Sequence, residues 1–111
     1  MSEINELWIL VDKNGHNTGR SYLVVRKYKR RTGYSVRQVD MSFTGYKHSS
    51  RVEKFPTWTE VLQYLQDKHP RVTNYGITAS LKEVIEAFNR LSPEAREFWS
   101  EEIKATKGGE E

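Results

Sequence analysis

Between positions 26 and 31 the chain reads Arg-Lys-Tyr-Lys-Arg-Arg, and Thr32-Gly33-Tyr34 follows. Five of those six residues are cationic. Cations neutralise phosphates, and aromatic rings set among them offer faces on which bases stack, worth about 1–3 kcal/mol per base. The chemistry this spacing points to is non-covalent: holding a polyanion, DNA or RNA. Arg26, Lys27, Lys29, Arg30 and Arg31 are the expected phosphate contacts, and Tyr28 and Tyr34 the expected stacking platforms. Arg37, Lys47 and Arg51 extend the patch. A solvated turn kept soluble by its charge explains the same residues without a ligand, with the tyrosines in or near the core.

Other candidates carry less. Residues 14–19, rich in Gly and Asn, have the composition of a backbone phosphate cradle. They lack the Lys-Ser/Thr ending of a P-loop, and they lead into a strand instead of a helix. None of His16, His48 and His69 lies at metal-ligand spacing from another histidine or a carboxylate cluster. His48 with Tyr46, Lys47 and Arg51 has the residue types of a metal-independent ribonuclease, but no paired base accompanies it. With no cysteine, disulfides, thiolate nucleophiles and Cys-based zinc sites are excluded. The chain is therefore read as a binding protein, with no catalytic residue, cofactor or metal assigned.

The net charge of +3 hides an asymmetry. Residues 1–54 carry eleven Lys and Arg against five Asp and Glu, or +6; residues 55–111 carry seven against ten, or −3. Residues 20–54 alone hold ten basic and two acidic residues, or +8. A one-sided field of this kind favours polyanionic partners. The alternative partner is an acidic protein surface met by the same patch, which would make the chain an interaction module, regulator or inhibitor. The acidic start, Met-Ser-Glu-Ile-Asn-Glu, is unlike a signal peptide. The apolar run 7–11 is far short of the roughly 20 residues that span a bilayer. A soluble, intracellular, cytoplasmic protein with no membrane contact is expected.

The elements that must position these residues follow from periodicity. Residues 6–12 are short, apolar and bounded by polar positions, as a buried strand is. Residues 13–19 form a loop, 21–30 a second strand, and 34–43 a third. Arg31-Thr32-Gly33 fits a three-residue hairpin loop closed by Gly, which sets Arg30 opposite Tyr34. Leu23 and Val25 then share a face with Val39 and Met41, while Tyr22, Val24, Arg26, Tyr28, Arg30, Tyr34, Val36 and Gln38 share the other. A two-residue Thr32-Gly33 turn slips the register by one. Residues 44–50 turn the chain, and 50–55 make an edge strand ended by Pro56.

Thr57 and Glu60 have capping-box spacing, and Trp58, Val61, Leu62 and Leu65 follow at helical intervals, predicting a helix over 58–68 with Leu62 and Leu65 almost fully buried. Residues 71–79 connect to a second capping box, Ser80 and Glu83, with Leu81, Val84, Ile85 and Phe88 behind it. Ser92-Pro93 restarts a helix to about residue 104, with Ala95, Phe98, Trp99 and Ile103 on its apolar face. Phe98 is assigned to the core; Trp99 fits core or surface, and a homodimer through Phe98 and Trp99 is an expected use of it. Glu94, Glu97, Glu101 and Glu102 read as a solvated acidic face. The sum is one α+β domain over 1–106: an antiparallel meander of three to four strands in a basic part, 6–55, then a packing helix and a C-terminal two-helix unit in an acidic part, 57–105. Residues 107–111 read as a disordered tail.

Overall fold

The computed structural model describes residues 3–12, 20–41, 47–49, 52–67 and 78–108. The loop expected at 13–19, residues 42–43 of the expected third strand, residues 44–46 and 50 of the expected turn, and residues 71–77 of the expected connector lie outside them, as do His16, Arg51 and His69. Strand β1 (Glu6–Asp12) pairs antiparallel with β2 (Arg20–Lys27), and β2 with β3 (Tyr34–Met41). The outer edge of β3 is shared by two short strands: β4 (Lys47–Ser49) pairs with its end and β5 (Glu53–Phe55) with its beginning. The predicted edge strand 50–55 is seen as β5 from Glu53, with Val52 outside it and residues 50–51 outside the described residues. Residues 47–49, expected in a turn, add a strand of their own.

Four helices follow among the described residues: α1 (Trp58–Gln66), α2 (Leu81–Asn89), α3 (Pro93–Phe98) and α4 (Ser100–Gly108). The architecture is α+β, strands first and helices after. Each predicted N-cap accepts its amide, Thr57 Oγ1 from Glu60 and Ser92 Oγ from Ala95, but of the two predicted capping boxes only Ser80 and Glu83 close reciprocally; Thr57 and Glu60 form the hydroxyl–amide half. Such caps satisfy amides that the first helical turn leaves without a partner.

The hairpin register differs from the sequence expectation. Tyr34 lies opposite Lys27, not Arg30, so the connecting loop has six residues, 28–33. A three-residue shift is odd, and an odd shift turns β3 over relative to β2. Val25 consequently faces Val36, Leu23 faces Gln38, and Val39 joins Tyr22 on the opposite surface. Tyr34 and Val36 therefore pack under the helices with Leu7, Ile9, Leu23 and Val25.

On α1 the buried stripe is Trp58, Val61 and Leu65, while Leu62 is only half-buried at its flank. Changing Leu65 to Ala should cost about 2–5 kcal/mol, and Leu62 to Ala about 1–2, because it retains water contact on one side. Equal midpoints for the two variants in urea denaturation would place the stripe incorrectly.

The predicted third helix breaks at Trp99, giving α3 and α4, and α4 runs on to Gly108, past the expected end near 104. Its buried positions are Ala95, Trp99, Glu102 and Thr106. Trp99 is 0% exposed, whereas Phe98 is half-buried. The Trp99 ring is thus inside the fold, where it offers no surface for a homodimer. Trp58, Phe88, Trp99 and Tyr34 form one aromatic cluster, with centroids 5.7 to 6.5 Å apart where they touch. Spacings in this range add roughly 0.5–1.5 kcal/mol per pair beyond the area buried.

Candidate nucleic-acid interface

The basic segment forms the loop of the β2–β3 hairpin. Its root is fixed on two sides. The Lys27 amide donates to the Asn5 carbonyl at 2.9 Å, and Asn5 Nδ2 donates back to the Lys27 carbonyl at 3.2 Å. Inside the loop the Tyr28 amide donates to the Gly33 carbonyl. Gly33 has φ +124°, which residues with a Cβ rarely adopt. A Cβ there would also stand 3.1 and 3.2 Å from Cδ2 and Cε2 of Tyr28. The glycine lets the Tyr28 ring lie against the backbone, and the Arg31 guanidinium covers that ring at 4.5 Å from its centroid.

The five cations have different surroundings. Lys27 turns inward: its Nζ lies 2.9 Å from Glu102 and 3.2 Å from the Phe98 carbonyl, above the Phe98 ring. Arg26 reaches Glu6 at 2.7 Å, and Lys29 lies 3.9 Å from Glu3, with both of the latter side chains more than half exposed. Exposed pairs of that kind contribute about 0–1 kcal/mol and separate readily. Arg30 and Arg31 are exposed, and neither has a carboxylate partner among the described residues.

Tyr34, expected as a stacking platform, is 7% exposed and belongs to the core. Its hydroxyl donates to Glu102, the carboxylate that also holds Lys27. Burial first, then the hydrogen bond and charge of Glu102, pushes the Tyr34 pKa well above the ordinary tyrosine value. Glu102 is therefore not part of a solvated acidic face.

The sheet surface away from the helices carries further charge. Arg26 stands across from Ser35, which stands across from Lys54; Arg37 stands across from Val24. Arg37 is half-buried, with its Nε lacking a hydrogen-bond partner among the described residues. Burial works to raise the Glu6 pKa, but hydrogen bonds from Trp8 and Arg26, with the charges of Arg26 and Arg37, outweigh it and hold Glu6 below the usual range. This contribution to stability is present above the unfolded glutamate pKa and is lost as pH falls through the lowered value.

Lys54 was legible only as one cation among many; its place in line with Arg26, across Ser35, required the register. Lys47 lies in β4 opposite Met41, and Arg51 lies outside the described residues. Trp8 and Tyr22 meet edge to face at 5.3 Å on this same surface.

Two concavities flank the loop. One, of about 470 Å³, runs from Glu3 and Asn5 to Arg31; the other, of about 600 Å³, opens toward Pro56, Thr57 and Phe98. Arg30 and Arg31 line both. No group of three or more metal-ligating side chains occurs among the described residues, and no helix there is long and apolar enough to cross a membrane. No family, no curated protein and no solved structure matches this chain.

Proposed function

We propose that the protein binds nucleic acid through the tip of the β2–β3 hairpin and the adjoining sheet surface. The observation that carries this reading is the pair Arg30 and Arg31, exposed and without carboxylate partners among the described residues, on a loop anchored by Asn5 and Gly33. Unpaired guanidiniums on an anchored turn engage phosphate without first breaking an ion pair, and they lose less side-chain freedom than a mobile tail would. Arg26, Lys29, Arg37 and Lys54 add charge around them. Lys27 and Tyr34 are left out of the contact surface, because Glu102 already engages both.

Fluorescence anisotropy with labelled oligonucleotides over a salt series tests the reading. Log K should fall with log salt by about 0.7–0.9 per phosphate neutralised. The double variant Arg30→Ala/Arg31→Ala should flatten that slope by up to about two contacts, with stability changed by less than about 0.5 kcal/mol. Absence of binding to every oligonucleotide at low salt would overturn the proposal.

A further inference from the structure

Resting on that reading, we infer that the ligand is a double helix held by its backbone phosphates, and not a single strand held by stacked bases. Proteins that grip single strands combine a basic track with open aromatic faces, because each unpaired base must find a new stacking partner. Among the described residues, the rings near the cations are occupied. Tyr34 is in the core against Trp58 and Trp99, with its hydroxyl on Glu102. Tyr28 is half-buried beside Gly33 and carries Arg31 on its ring. Phe98 lies beneath the Lys27 ammonium.

Among the described residues, the remaining aromatics on the basic sheet surface, Trp8 and Tyr22, stand edge to face against each other. Trp8 also donates its indole N–H to Glu6. The cleft these two rings line, about 370 Å³, contains the carboxylates of Glu3 and Glu6 against one cation, Arg90. Those carboxylates already engage Arg26 and Lys29, so a phosphodiester chain entering there would compete with them for the same cations.

The exposed cations, by contrast, ask nothing of the bases. Arg30 and Arg31 project from the turn, and Arg26 and Lys54 flank it on the sheet. Strands β1 and β5 flank the hairpin as far as Arg26 and Tyr34, so the part that protrudes is the six-residue loop 28–33 with its charged tip. A duplex presents phosphates along both walls of a groove that such a tip can approach. The stack of Arg31 on Tyr28 holds the guanidinium in place for a phosphate and removes the ring as a base platform. Contacts of this kind fix position without reading sequence.

The experiment compares strands and duplexes of one length, in DNA and in RNA, by anisotropy at a single low salt concentration. A duplex of either sugar should bind at least about ten-fold more tightly than its component strands, with little dependence on sequence. The variant Tyr28→Leu, which keeps an apolar side chain beside Gly33 but frees Arg31, should weaken single strand and duplex by the same factor, about two- to five-fold. Equal or tighter binding of single strands, or a loss of roughly ten-fold or more on them in Tyr28→Leu, overturns the inference while nucleic-acid binding itself stands. Failure of wild-type protein to bind any of the four ligands overturns the underlying reading instead. The wild-type ratio of duplex to strand needs no variant, so a folding defect in Tyr28→Leu leaves the test intact.

Discussion

Replacing Trp99 with Ala is expected to cost about 3–5 kcal/mol, enough to unfold much of a small domain whose total stability is about 5–15 kcal/mol. The side chain is 0% exposed and touches Tyr34, Trp58, Phe88 and Phe98. Removing it leaves a cavity at the α3–α4 junction, lined by the rings of Tyr34, Trp58, Phe88 and Phe98. Its indole N–H also donates to the Ile4 carbonyl at 2.9 Å, which fastens the segment ahead of β1. Trp99→Phe should keep most of the packing and lose that bond, at about 1–2 kcal/mol. Phe98→Ala, at a half-buried site, should fall well below Trp99→Ala. Chemical denaturation of the three variants checks the ranking, and a Phe98 effect larger than that of Trp99 would put the wrong ring in the core.

That ranking marks where the sequence was legible and where it was not. Ser80, Ser92 and Thr57 announced their helices because capping is local: donor and acceptor lie within four residues of one another. The alternation of 21–30 and 34–43 likewise announced two strands. What joined them was not local. Gly33 marks the end of a loop but not its length, and a loop three residues longer turned β3 over, carrying Tyr34 from the expected binding face into the core. The same limit hid Glu102. Its charge assigned it to the solvated side of the last helix, whereas Ala95, Trp99, Glu102 and Thr106 fall at intervals of four, three and four, the spacing of a buried stripe. Periodicity placed the stripe; side-chain type obscured it. The candidate site suffered in proportion: its tip cations stand where expected, while Lys27 and Tyr34 left it for a partner 68 or more residues away.

The Lys27–Glu102–Tyr34 cluster should respond to substitution as one unit. Glu102 has 8% of its side chain exposed and Lys27 24%, so both charges have lost much of their water. Changing Glu102 to Leu strands the Tyr34 hydroxyl and the ammonium together, at an expected cost of about 2–4 kcal/mol. Lys27→Met should cost a comparable amount, because it leaves a nearly buried carboxylate held by Tyr34 alone. The double variant should cost much less than the sum, since a buried ion pair exchanged for apolar groups of similar size is often close to neutral. The coupling expected in this cycle is about 0.5–3 kcal/mol.

Tyr34 supplies an independent pH readout. Its folded pKa is raised, so its contribution is complete below the ordinary tyrosine value of about 10 and is lost as pH climbs through the raised value. Tyr34→Phe should therefore be less stable than wild type at neutral pH and should show a shallower alkaline decline. Because Lys27 and Tyr34 form the last ladder pair before the loop, loosening them should also weaken the hold on Arg30 and Arg31. Strictly additive costs in the cycle, together with an alkaline limb unchanged in Tyr34→Phe, would mean that Glu102 merely sits beside the hairpin root and does not clamp it.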